Sequence, residues 1–242
     1  MQRINTNIRG LDNLIEGGVP KSMTLLLSGS AGSGKTILSL QYLCKAAELG
    51  EKVVFISFEM LPEHIIEQAA QFGWDITQYI EKGTFLLRYY DLNAVHVSKV
   101  LNEITNILTK HNPSRLVIDS LTVLGVYAEV VETSEVSEIM GFNDNCNVPS
   151  NAITRRTITN LIRMLDSHPV TSIVTSELSN NSQWLSRDTI SEFICDGVIL
   201  LKTHTMGRSL TRTLEVRKMR LTKIRGGEYG FTFSNEGILI NI

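Results

Sequence analysis

Residues Gly29 to Thr36 run Gly-Ser-Ala-Gly-Ser-Gly-Lys-Thr, the spacing G-x-x-x-x-G-K-T. Glycines so spaced let successive backbone N–H groups turn inward onto phosphate oxygens. A helix beginning at the lysine adds partial positive charge. Lys35 would reach the β- and γ-phosphates of a nucleoside triphosphate, and the Thr36 hydroxyl would ligate Mg²⁺. The expected contact set is Gly29, Ser30, Ala31, Gly32, Ser33, Gly34, Lys35, Thr36 and Ile37. The plain alternative is a ligand-free glycine turn. The β-rich run before the loop and the helical run after it argue against that.

Phosphoryl transfer from such a loop needs an acidic anchor for the metal at the end of a neighbouring strand. Asp119 fits, closing the apolar run RLVID before a small Ser120. Its alternative is a helix cap. Hydrolysis also needs a group that orients or deprotonates water. Glu59 closes FISFE at the end of another such run and is the candidate beside Lys35. A solvated glutamate at a helix start is the competing explanation.

Elements must hold these residues together. Short β-rich runs alternate with segments of helical period, which predicts an α/β fold: a mostly parallel central sheet flanked by helices. Strands are expected at 23–28, 52–58, 84–89, 115–120 and 171–177. Helices are expected from Ile37 to about Leu49, from Pro62, over 97–108 and over 153–165. The last third is β-rich and predicts a C-terminal hairpin edge to the same sheet.

One domain over 1–242 is the economical reading of the length. With 23 Lys and Arg against 25 Asp and Glu, the net charge of -2 exerts no global pull on nucleic acid or anionic lipid. Cys44, Cys146 and Cys195 are scattered and form no C-x-x-C pair, so reduced thiols in a cytoplasmic protein are expected. The polar start MQRINTNIRGLDN is no signal peptide, and no apolar run is long enough to span a bilayer. The five histidines lack metal-ligand spacing.

Six stretches, in order, resemble one family. The chain is similar to the KaiC-like, single-domain, archaeal-type ATPases of the RecA/RadA superfamily, which have a P-loop NTPase core. TNIRGLDNLIEGGVPKS resembles the lead-in to the first core strand, and the phosphate loop follows at the expected distance. FEMLPEHIIEQAAQFGWD resembles the segment that begins at the catalytic glutamates. LVIDSLT matches the metal-binding strand, VTSEL the sensor strand and DGVILL the strand after it. RKMR resembles the Lys-x-Arg finger.

The resemblance implies ATP and Mg²⁺ as ligands and a homo-oligomer, a hexameric ring with ATP at subunit interfaces. It implies that Lys218 and Arg220 contact the γ-phosphate of the neighbouring subunit, and that Ser176 and Glu177 sense it or position water. Plain solvation is the alternative for the basic C-terminal strands. The chain departs from the family at Met60, where a second glutamate is usual, at Ser22 in place of glycine, and in an apparent insertion at about 125–151. One carboxylate remains at Glu59, so slow hydrolysis is expected.

Three outputs are compatible with such a core: a slow ATP-driven switch in signalling or regulation with an unknown protein partner, a recombinase-like DNA-binding ATPase, or a non-hydrolysing scaffold. Residues 116–154 contain no Lys or Arg and carry Glu129, Glu132, Glu135, Glu138 and Asp144. Such a segment repels DNA, whose affinity rests on phosphate neutralisation. Trp184 and Arg187 are the residues that favour DNA, by stacking and phosphate pairing. A Trp184 buried at a subunit contact competes with that reading. Met60 favours the scaffold. The acidic insertion is expected to be a partner-docking element or a surface loop.

Overall fold

The runs TLLLSG, VVFIS and RLVID are buried at every position. Strands of that kind lie in the interior of a sheet covered on both faces. The computed structural model describes residues 1–140, 150–179, 182–207 and 209–242, the side chains of 131–140, 150, 151 and 206 excepted. In chain order the elements are β1 (Arg3–Ile4), α1 (Leu11–Leu14), β2 (Val19–Pro20), β3 (Thr24–Gly29), α2 (Lys35–Glu48), β4 (Val53–Ser57), α3 (Pro62–Ala70), α4 (Ile76–Glu81), β5 (Phe85–Tyr89) and α5 (Val97–His111). There follow β6 (Arg115–Asp119), α6 (Leu121–Met140), α7 (Ser150–Asp166), β7 (Thr171–Glu177), α8 (Ser191–Ile194), β8 (Gly197–Met206), β9 (Ser209–Met219), β10 (Glu228–Ser234) and β11 (Gly237–Ile240).

Among the described residues, nine strands form one sheet in the order β11-β10-β9-β8-β3-β7-β6-β4-β5. From β8 through β5 every neighbouring pair is parallel. β8 to β11 form an antiparallel extension, the expected hairpin edge. β1 and β2 pair separately.

Alternation along each strand divides the core between the two faces. Leu25, Leu27, Phe55 and Val117 pack with Leu38, Tyr42 and Leu43 of α2 and Ile65 of α3. Leu26, Ile56, Ile118 and Val174 point the other way, onto Val100 and Ile104 of α5, Leu124 of α6 and Leu161 of α7. The apolar stripe of α5 buries Val97, Val100, Ile104 and Leu108, at helical spacing, and Asn112 ends the helix in the left-handed conformation at φ 49°.

Element boundaries fall within a few residues of those expected. Two elements differ more. The short helix α4 was not legible from periodicity; the Asp75 side chain caps it by accepting from Gln78 N at 3.4 Å. The expected insertion at about 125–151 begins as helix, because α6 runs without a break from Leu121 to Met140. Residues 141–149 of that stretch, with Asp144 and Cys146, lie outside the described residues. Among the described residues no helix is long and apolar enough to cross a membrane.

Candidate functional site

The parallel register builds the site at the C-terminal ends of the central strands. β3 and β7 pair Gly29 with Glu177, and β4 and β6 pair Ser57 with Asp119. β3 runs into the phosphate loop, where Gly32 and Gly34 adopt φ 72° and 101°, and α2 starts at Lys35. A Cβ on Gly34 would stand 3.0 Å from Phe233 Cζ, so glycine there serves both conformation and space.

Lys35 is buried, and its Nζ donates to Gly29 O at 2.9 Å and Ser30 O at 3.0 Å. Burial pulls its pKa below the ordinary lysine range, against the charges of Glu177, Asp119 and Glu59. Thr36 Oγ1 donates to Asp119 Oδ2 at 2.8 Å, and Thr175 Oγ1 donates to the other carboxylate oxygen at 2.5 Å. Burial raises the Asp119 pKa, the Thr175 and Thr36 hydroxyls and Lys35 oppose the rise, and Glu177 adds to it.

Glu59 follows β4. Ser57 Oγ accepts from Glu59 N at 3.3 Å and from Met60 N at 2.9 Å, which pins the turn. The Glu59 carboxylate accepts a hydrogen bond from the Ser120 hydroxyl. Desolvation raises its pKa, Ser120 and Lys35 oppose that, and the Asp119 and Glu177 charges reinforce it.

Glu177 Oε1 lies 4.0 Å from Lys35 Nζ. Ser176 is not brought to the lysine: its Oγ accepts from Arg187 N at 3.1 Å, on the segment after β7. Neighbouring residues on a strand point to opposite faces. The Glu177 amide donates to Thr122 Oγ1 at 2.9 Å, which ties the strand end to the first turn of α6.

Lys218 and Arg220 lie far from this cluster. Gly29 pairs with Leu201 of β8, and Leu201 pairs with Leu214 of β9. Met219 pairs with Gly197, which pairs with Leu25. Arg220 lies opposite Asp196, at the level of Thr24 where β3 starts, about 16 Å along the strand from the level of Gly29 and two strands across. Trp184 is 57% exposed.

The residues suit a phosphate chain with a hard cation. The buried Ser33 Oγ inside the loop has no hydrogen-bond partner among the described residues. A Cβ on Gly29 would collide with Leu201 O and Ser33 Oγ at 2.5 Å, so backbone closely lines the cradle. A threonine hydroxyl and a carboxylate are the oxygen donors that Mg²⁺ takes alongside phosphate and water.

The sequence reading missed several supports. Thr175, Ser120 and Thr122 hold Asp119, Glu59 and Glu177; strand parity alone does not say which of two adjacent hydroxyls faces the site. Arg212 belongs to the basic C-terminal strands, where plain solvation is the alternative. Its guanidinium lies 4.8 Å from the centre of the Phe233 ring, and its Nε donates to Gly32 O at 3.4 Å. Lys202 pairs with Glu215 at 2.9 Å and with Glu228, and Arg217 pairs with Glu215 at 2.8 Å.

A central parallel sheet with this loop at the end of β3, next to the strand bearing Glu177 and two strands from Asp119, defines the class as a RecA-like P-loop nucleotide-binding core. A family model described as "ATPase: KaiC" matches residues 4–142 and 144–241, and the chain belongs to the KaiC family of ATPases. The circadian clock oscillator protein KaiC of Prochlorococcus marinus subsp. pastoris is 31% identical over 99% of this chain and 45% of its own length. KaiC 1 of Synechocystis is 31% identical over 99% of this chain and 44% of its own. The chain thus spans less than half the length of these curated relatives. The crystal structure of KaiC-like protein PH0186 from Pyrococcus horikoshii matches with a TM-score of 0.82 at 31% identity, over 100% of this chain and 99% of that one.

Proposed function

We propose that this chain is a slow, Mg²⁺-dependent ATPase that works as an oligomeric, ATP-driven switch in signalling or regulation, as a single domain assembled into a hexameric ring. The observation that carries this reading is the meeting of Lys35, Thr36, Asp119, Glu59 and Glu177 at one edge of the sheet. Backbone N–H groups of Gly29–Ile37 cradle the phosphates, and Lys35 draws charge from the transferred group. Thr36 and Asp119 hold Mg²⁺, which neutralises charge on the phosphate oxygens. Glu59 orients a water and takes its proton as the water oxygen bonds the γ-phosphorus and the bond to the bridging oxygen breaks. Glu177 senses the γ-phosphate. Ser176 acts at one remove, through Arg187.

The finger acts in trans. Support comes from the position of Lys218 and Arg220 at the opposite end of the sheet from their own phosphate loop, which puts that loop out of their reach and leaves a second copy's site as the one they would serve. Turnover and particle mass test the whole reading, for wild type, Glu59→Gln and Arg220→Ala, with and without single-stranded DNA. A ring with slow turnover that both variants lose, indifferent to DNA, is the expected result. Assembly on ATP with no phosphate release would replace the switch with a scaffold. The exposure of Trp184 favours a second reading, a DNA-binding ATPase, and several-fold stimulation by DNA would establish it.

A further inference from the structure

We propose that Asp196 is the positioning residue of the finger: together with the end of α8 it fixes Arg220 and Lys218 in the orientation that a second copy receives. This rests on the trans reading above.

Both finger cations are gathered by one corner, residues 192–196. Lys218 Nζ donates to Glu192 O at 3.1 Å, Phe193 O at 3.1 Å and Cys195 O at 2.6 Å. Those bonds use all three of its hydrogens, so in this arrangement Lys218 offers a second copy its charge and Arg220 offers the free N–H donors. Arg220 N donates to Asp196 O at 2.9 Å, Nη1 to Asp196 Oδ1 at 2.9 Å and Nη2 to Phe193 O at 3.4 Å. The second Asp196 oxygen accepts from Thr24 N at 3.1 Å. The carboxylate is thereby anchored to the first residue of β3, the strand that carries the phosphate loop.

Exposure separates holder from held. The Asp196 side chain is 18% exposed and that of Arg220 is 52% exposed. Nη1 of the guanidinium meets the fixed carboxylate and Nη2 the Phe193 carbonyl, while about half of the side chain stays open to solvent. A free arginine samples many rotamers, and holding it in one lowers what must be ordered when the phosphate is met. The carbonyl after Arg220 is held too, since Arg3 Nη2 donates to Leu221 O at 3.1 Å. An ion pair this open adds little to folding, so its geometry is explained by aim.

The test uses Asp196→Asn and Asp196→Glu in the full chain. Asp196→Asn is expected to keep its melting temperature and ATP affinity while kcat falls about tenfold at unchanged KM; Asp196→Glu is expected to recover part of that loss. Mixing then locates the defect. Asp196→Asn subunits have an intact site and a misaimed finger, and Glu59→Gln subunits have the reverse. Mixed assemblies should exceed the mean of the two separate activities, as should Arg220→Ala mixed with Glu59→Gln. Wild-type turnover in Asp196→Asn overturns the proposal. So does rescue of Arg220→Ala without rescue of Asp196→Asn, which would put Asp196 to work in its own site. If neither is rescued, the trans reading falls and takes this one with it. Should the asparagine variant fail to fold, Asp196→Glu carries the same mixing test.

Discussion

Thr36 Oγ1 donates to Asp119 Oδ2 at 2.8 Å, joining the first turn of α2 to the end of β6. Thr175 holds the other oxygen of the same buried carboxylate, so Asp119 has little freedom to turn. Two hard oxygen donors at hydrogen-bond separation can share one small cation. Thr36→Val is expected to abolish the Mg²⁺ dependence of ATP binding and lower turnover by two to three orders of magnitude, roughly the several kcal/mol that a metal supplies. Thr36→Ser keeps the hydroxyl and should keep most activity. Calorimetric titration of ATP with and without Mg²⁺ checks this, and an unchanged Mg²⁺ dependence in Thr36→Val would remove Thr36 from the metal site.

Glu59→Gln is expected to bind ATP with near wild-type affinity and to lose turnover by about 10²–10⁴-fold, the range of a positioned general base. Ser120→Ala frees the carboxylate without removing it, so its loss should be smaller and confined to kcat. Phosphate release measured beside equilibrium ATP binding separates the two. Equal losses in both variants would mean that the Ser120–Glu59 contact, not the carboxylate, sets the rate.

Local pattern made much of this legible. The loop announces itself because its chemistry is backbone chemistry, and only glycines at fixed spacing permit it. The buried parallel strands show as unbroken apolar runs, and Asp119 stands out as the charge that ends one. What stayed hidden depends on contacts between distant segments. Arg212 looked solvated until β9 and β10 brought it over Phe233 and beside Gly32. Asp196 opens the strand run DGVILL and drew no notice there; the structure lays Arg220, 24 positions later, against it. Ser176 and Glu177 looked equivalent as sensors, and alternation across the strand separates them. The apparent insertion at about 125–151 was expected as a docking element or surface loop; its acidic sequence gives no clear helical stripe, and its first part is the helix α6, which continues to Met140.

Gly34→Ala tests the loop without touching a polar group. The residue sits at φ 101°, where an L side chain is strained, and its Cβ would press on Phe233 at 3.0 Å. A stability loss of about 1–3 kcal/mol is expected from the backbone term. ATP affinity should fall further, because the start of α2 must shift. Gly50→Ala is the control: φ is 83°, but nothing lies within 4 Å of its Cβ position. Urea unfolding and ATP titration of both variants give the comparison, and equal ATP affinities would show that the loop accommodates the methyl.

The last prediction concerns the ion pair between buried Arg115 and half-buried Glu51, at the end of the sheet away from the loop. Arg115 is 2% exposed and meets Glu51 through two parallel bonds, Nη2 to Oε1 at 2.7 Å and Nε to Oε2 at 2.9 Å. Its Nη1 also donates to Asn5 O at 2.9 Å, and its guanidinium lies 4.7 Å from the centre of the Tyr42 ring. Burial opposes the charged form of Glu51, but the hydrogen bonds from Arg115 and Ser114 outweigh it and hold the carboxyl below its ordinary range. A folded-state pKa below the unfolded one, about 4.3, stabilises the fold at higher pH. That contribution is present in full above about pH 5 and is lost as pH falls through the unfolded pKa toward the folded one. Glu51→Gln leaves Arg115 buried without its anion, so it should cost about 3–5 kcal/mol at pH 7. As pH falls through the unfolded pKa toward the lower folded one, the gap between the two proteins should narrow. Urea unfolding of both across pH 3–7 gives the curve. A gap that stays constant over that range would mean that shape and packing, not charge, hold Arg115 in place.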